Sequence, residues 1–175
     1  MDKTANAMQE LMDMKIWMLW RWATDKNCKP TKKPFAAGGG PTGTDDKWSH
    51  TWVTYNEAVK AKEHNSVAAG VGFMIPKGYY FIDIDHKELT DPLVQTILAR
   101  HDSYAEYSVS GTGIHQYGKC DFTQIPTYLD KNGNLKLDRQ FYMKNPHNHL
   151  ELYISGNPKS FDAFTCNIIN DQPLP

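Results

Sequence analysis

The sequence predicts an α+β fold. Helical and strand-like patterns are interleaved along the chain, several strand patterns come in pairs around short glycine-containing turns, and no internal repeat appears. Residues 5–13 are good helix formers, and the run "KIWMLWRW" follows as a strand in which Trp17, Leu19 and Arg21 alternate with Met18, Trp20 and Trp22. Residues 26–43 are rich in Pro, Gly and Lys and read as a surface loop that gathers Lys26, Lys29, Lys32 and Lys33. Within it "GGGPTGT" has the glycine spacing of a phosphate loop at Gly38 and Gly43, but Thr44 stands where that motif needs lysine, so a Walker A site is excluded. "WSHTWVTYNEAVKAKEHN" predicts a helix capped by Thr54 or Asn56, with Ala58, Val59 and Ala61 inward. "VAAGVGFMIP" and "YYFIDIDH", separated by "KG", predict a strand, a tight turn and a second strand. "DPLVQTILARH" predicts a helix with Asp91 as N-cap and Pro92 at its first position. "SYAEYSV" and "GIHQYGK" predict another strand pair around "SGTG". Residues 121–148 decorate the core, and "HLELYIS" is the last predicted strand before a tail rich in Asn and Pro.

At 175 residues and 40% hydrophobic content, the expectation is one cored domain spanning 1–175. Lys and Arg number 19 against 20 Asp and Glu, so no global field attracts or repels nucleic acid, and any polyanion site is local. Cys28, Cys120 and Cys166 form neither a C-x-x-C pair nor an even set, which argues against a disulfide framework or a zinc ribbon and fits free thiols in a reducing cytoplasm. The uninterrupted apolar run at residues 16–20 is too short for a signal peptide core or a membrane span, so a soluble, cytoplasmic protein with no membrane partner is expected.

The stretch "YYFIDIDHKE" places two aspartates inside a strand. Side chains alternate in a strand, so Tyr79, Phe81, Asp83 and Asp85 share one face while Tyr80, Ile82 and Ile84 face the core. Two carboxylates on adjacent same-face positions repel unless something neutralises them, and a hard divalent cation such as magnesium or manganese does so. For a D-x-D pattern alone, a solvated sheet edge that uses charge against aggregation is an equal alternative. "EYSVSGTGIHQYGK" sets Ser108, Ser110, two glycines and His115 at a strand–turn–strand junction, where N–H groups and hydroxyls could cradle phosphate. In "HLELYIS", His149, Glu151 and Tyr153 share a face, again with a carboxylate in mid-strand.

In this order, D-h-D ending a hydrophobic strand, S-x-S-G-x-G-h-H and h-E-h-Y-x-S-G resemble the bifunctional primase-polymerase (prim-pol) domain of the archaeo-eukaryotic primase superfamily. That family occurs in replication proteins of phages, plasmids and other mobile elements. "WMLWRW", "KKPF", the helix led by Trp52 and "GVGFMIP" are similar to its first strand, lysine–proline loop, first helix and leading hairpin strand, so the likeness covers residues 17–165. The resemblance implies a catalytic domain with an RNA-recognition-motif-like antiparallel sheet. It implies that Asp83, Asp85 and Glu151 bind Mg2+ or Mn2+ and that His115, Ser108 and Ser110 contact the phosphates of a nucleoside triphosphate. The implied reaction is two-metal nucleotidyl transfer on a single-stranded DNA template. Larger members continue into a helicase, which makes a replicative helicase an expected partner.

One departure stands out. Where the family has an arginine after S-G, this chain reads "SGNPKSFDAFTCN", with Lys159 the nearest cation and "FT" displaced to Phe164 and Thr165. A lysine is a poorer phosphate clamp, so a slow polymerase with a raised nucleotide KM is expected, with Lys159 in the phosphate-binding set. Template contacts are assigned to Lys26, Lys29, Lys32 and Lys33. The alternative is a nucleotide- or nucleic-acid-binding replication accessory that keeps the fold without efficient catalysis. A haloacid-dehalogenase-like phosphohydrolase built on "DIDH" is set aside, because Lys87 stands where that signature needs Thr or Val.

Overall fold

A computed structural model describes residues 6–121, 127–132, 135–137, 143–145, 147, 149–154 and 161–174. In chain order the described elements are α1 (Gln9–Asp13), β1 (Trp17–Thr24), β2 (Pro30–Phe35), α2 (Tyr55–Glu63), β3 (Gly70–Met74), β4 (Tyr79–Ile84), α3 (Pro92–His101), β5 (Ala105–Tyr107), β6 (Ile114–Lys119), β7 (Thr127–Leu129), β8 (Leu135–Leu137), β9 (Met143–Asn145), β10 (Leu150–Ile154), β11 (Phe161–Phe164) and β12 (Ile168–Asn170). Short 3-10 turns lie at Asn6–Met8 and Asp46–Thr51. Antiparallel sheets with a few helices make the fold mixed α and β, compatible with the α+β class. Contacts divide the chain into an N-terminal unit, Met8–Met74 with Phe161–Thr165, and a central unit, Met1–Ala7, Ile75–Ser160 and Cys166–Pro175.

The N-terminal unit carries a four-stranded antiparallel sheet in the order β11-β3-β1-β2. Trp17 anchors it: the fully buried indole packs against the rings of Phe73, Tyr55 and Phe164, and its Nε1 donates to the Leu11 carbonyl at 2.7 Å, so the large apolar ring buries no unpaired donor. Thr54 caps α2 through a reciprocal capping box with Glu57. Two sequence expectations are corrected here. The stretch read as a loop contains β2, whose Pro30 and Pro34 are tolerated because β2 is the sheet edge, where a missing N–H breaks no inner ladder. β3 and β4 do not form a hairpin. β3 pairs with β1 and β11, and β4 pairs with β6 and β10 in a different sheet, so the short link between them is a crossover and not a hairpin turn.

The central unit carries a six-stranded antiparallel sheet in the order β12-β5-β6-β4-β10-β9, while β7 and β8 form a separate pair. Ile82, Ile84 and Ile114 form one face and are covered by Val94, Ile97 and Leu98 of α3. Asp91 accepts from the Leu93 N–H at 2.8 Å and pairs with Lys87, and Pro92 opens the helix, as the sequence predicts. Two strands, β11 and β12, fall in the tail that sequence reading left unstructured. Both are only three or four residues long, too short to show a period, and their partners are remote in sequence.

Candidate active site

The register of the central sheet brings five residues into one transverse row. Glu106 of β5 lies opposite His115 of β6, His115 opposite Asp83 of β4, Asp83 opposite Glu151 of β10, and Glu151 opposite Lys144 of β9. Residues directly opposed on antiparallel strands share a face, with Cβ atoms about 4.5–5.5 Å apart. The row therefore lies on the face away from α3. Beside it runs an aromatic row in which Phe81 stacks on Tyr153 at 4.5 Å and 6° and on Tyr117 at 6.0 Å, while Tyr117 meets Tyr104 at 5.9 Å.

Glu106 is the buried end of the row. Its Oε2 accepts from the Tyr104 hydroxyl at 3.0 Å and from the Cys166 N–H at 2.8 Å, and its Oε1 accepts from the Tyr117 hydroxyl at 3.4 Å. Burial, and then the Glu106 carboxylate itself, pushes the Tyr104 hydroxyl far above the ordinary tyrosine range, so it remains a donor at any ordinary pH. His115 is 2% exposed, with Nδ1 3.7 Å from Glu106 Oε1 and Nε2 3.5 Å from Asp83 Oδ1. A carboxylate thus faces each ring nitrogen, and the Tyr117 hydroxyl lies 3.5 Å from Nδ1. Glu151 is half-buried and accepts a short hydrogen bond from the Tyr153 hydroxyl.

Asp85 lies one residue past the end of β4 and not within it, with its N–H donating to the His149 carbonyl at 2.8 Å. His149 likewise falls outside β10, in a left-handed conformation (φ 54°), so its expected place on the strand face with Glu151 is corrected. The Ser108–Gly113 turn packs against this end of β4. A Cβ at Gly113 would stand 2.9 Å from Ser108 Oγ and 3.3 Å from Asp85 Oδ1, so only glycine lets the turn approach this closely. Ser108 Oγ, Ser110 Oγ and Thr112 Oγ1 form a chain of hydroxyls at 3.0 and 2.9 Å. The turn expected to contact phosphate and Asp85, one of the carboxylates expected to bind metal, thus meet at one end of the sheet.

No family model matches the chain, and no curated protein matches it. What the site can do rests on its own chemistry. The oxygens of Asp83, Asp85 and Glu151 are hard donors of the kind that suits magnesium or manganese. Glu106 is the residue that sequence reading missed. Its signal was present in "SYAEYSV", a carboxylate in mid-strand, the same anomaly that singled out Asp83 and Glu151.

The remaining sequence-predicted residues lie elsewhere. Lys159 and Gly156 fall outside the described residues. Lys26 and Lys29 sit at or beside the tip of the β1–β2 hairpin. Lys32 opposes Trp22 and Lys33 opposes Arg21, which puts these two lysines on opposite faces of the hairpin. Trp22 is 56% exposed, an apolar plane beside cations. No helix among the described residues is long and apolar enough to cross a membrane.

Proposed function

We propose that the chain is a metal-dependent nucleotidyltransferase of primase-polymerase type, which extends DNA from nucleoside triphosphates on a single-stranded template in the cytoplasm. The replication of a phage, plasmid or other mobile element is its setting, and a replicative helicase its expected partner. The observation that carries the reading is the cross-strand row of Asp83, His115 and Glu151, with Asp85 and the Ser108–Gly113 turn at its end. Opposed carboxylates repel, and although His115 stands across from Asp83 and Lys144 across from Glu151, a divalent cation held between the two acids would relieve the repulsion directly.

Magnesium or manganese held by Asp83, Asp85 and Glu151 would neutralise the phosphates and polarise the reacting phosphorus. The chain's own groups supply the rest. The hydroxyls of Ser108 and Ser110 orient the triphosphate, and His115, fixed from behind by Glu106, holds Asp83 in place. Trp22, Lys26, Lys29 and Lys32 receive the template by stacking and phosphate contact. In the reaction a 3′-hydroxyl oxygen bonds to the α-phosphorus, its proton passes to solvent, and the bond to the bridging oxygen breaks to release pyrophosphate.

The test is incorporation of labelled nucleotides on a primed single strand with magnesium or manganese. Product that depends on template and metal supports the reading. Its absence under every metal hands the case to the binding accessory, which the lack of an arginine after Ser155 and Gly156 favours.

A further inference from the structure

The hairpin face opposite Trp22 and Lys32 bears a second feature. Arg21 and Lys33 stand directly across from one another, and both are exposed. Like charges at opposed positions are destabilising. Among the described residues neither has a carboxylate within ion-pair distance. The two line a cavity of about 330 Å³ with Phe35, Pro41, Asn65 and Val67, and none of its lining residues is acidic. The Arg21 guanidinium lies over the Phe35 ring, 5.8 Å from its centroid, which fixes one cation at the wall. Part of the rejected phosphate-loop motif, Gly39 and Gly40, borders the same space. Gly39 adopts φ 89° in a turn closed by the Ala36 N–H to the Gly40 carbonyl, and a Cβ there would meet nothing, so the backbone is left bare at the rim.

We propose that this cavity binds a phosphate ester, with the anion between Arg21 and Lys33 and the organic part against Phe35, Pro41 and Val67. Two opposed cations match the charge of a phosphate, the guanidinium fork supplies paired donors, and the volume sits at the lower end of small-ligand pockets, about 300–1,000 Å³. Either a free nucleotide or a phosphate within a nucleic-acid strand presents this chemistry. The inference stands without the nucleotidyl-transfer reading, because no residue of the acidic row takes part.

Titration calorimetry on the full chain, with a chelator present so that metal-bridged binding is suppressed, decides it. The probes are deoxyadenosine 5′-monophosphate, deoxyadenosine and a short single-stranded oligonucleotide. The monophosphate should bind and the nucleoside should not, and Arg21→Gln or Lys33→Gln should each weaken the monophosphate by about tenfold or more. Competition between oligonucleotide and monophosphate, lost in both variants, identifies a strand phosphate as the ligand. Oligonucleotide binding that ignores both substitutions identifies the free nucleotide. Equal monophosphate affinity in wild type and the double variant overturns the proposal, as does a wild-type chain that binds no monophosphate. Failure of nucleotide incorporation would leave this binding untouched, which separates the two readings.

Discussion

The acidic row of the central sheet and the basic pair of the β1–β2 hairpin pose the same electrostatic problem with opposite signs. In each, antiparallel register sets like charges directly across from one another. In the row the fold supplies part of the answer: His115 lies between Glu106 and Asp83, and tyrosine hydroxyls are donated to Glu106 and Glu151. In the hairpin no acidic residue lines the cavity that Arg21 and Lys33 share. The difference separates two kinds of functional charge. A group that must hold one geometry is bound by the protein's own buried partners. One that must meet a ligand is left near solvent, where its unfavourable self-interaction is smaller.

The largest expected effect breaks the row at its centre. Asp83→Asn keeps the shape of the side chain but removes the charge that faces both His115 and Glu151. Incorporation should fall by about a thousandfold. The urea midpoint should move little, because relief of repulsion from Glu151 and loss of the His115 pair act in opposite directions. Wild-type incorporation by Asp83→Asn would remove the row from catalysis.

Glu106 tests whether the row is held from its buried end. Gln retains the volume but can accept at only one of the two oxygens, so among Tyr104, Tyr117 and the Cys166 N–H at least one donor loses its acceptor. Stability should drop by about 1–3 kcal/mol, read from denaturant unfolding, and Glu106→Asp should recover less activity than stability if His115 is positioned through the longer side chain. An unchanged unfolding curve for Glu106→Gln would show that Glu106 does not anchor the row.

How legible these regions are in the sequence follows from the range of the interactions that build them. Asp91, Pro92 and the Thr54 cap act within one helical turn and can be read directly, as can the β5–β6 pair around its glycine turn. The face of β4 is also legible, because alternation is local: Phe81 and Asp83 oppose Tyr117 and His115 as the two-residue period requires. What alternation cannot supply is the partner. "GVGFMIPKGYYFIDID" looks like a hairpin because its turn residues are right, yet β3 finds β1 and β11 while β4 finds β6 and β10. β2 was hidden for the opposite reason, since proline content argues against a strand unless the edge position is known. Glu106 was passed over although it carried the same mid-strand anomaly as Asp83, because no motif drew attention to it.

A smaller effect is expected on the solvent side of the hairpin. Trp22→Ala removes an exposed plane opposed to Lys32, and base stacking on such a plane is worth about 1–3 kcal/mol. Single-strand affinity should fall roughly tenfold at fixed salt, with the slope of log affinity against log salt unchanged, whereas neutralising Lys26 and Lys29 should flatten that slope by about two units. Anisotropy titrations across a salt series separate the two. A slope that ignores both lysines would place the strand elsewhere.

The smallest effect is the one that distinguishes a binding pair from an incidental one. Arg21→Glu converts the opposed cations into a cross-strand ion pair with Lys33, and opposite charges at such a position are worth about 0.2–1 kcal/mol relative to a neutral pair. The thermal midpoint should therefore rise, by no more than about 4 °C for a chain of this size. Phosphate-ester binding should disappear in the same variant, because the carboxylate both removes the guanidinium donors and repels the ligand from the remaining lysine. Opposite signs for stability and binding are the signature of charge kept for a ligand, since a merely solvated pair would gain stability and lose nothing. Differential scanning fluorimetry with and without deoxyadenosine 5′-monophosphate reads both quantities in one experiment. If Arg21→Glu melts higher yet keeps its ligand-dependent shift, the pair is ordinary surface charge and the contrast with the acidic row falls.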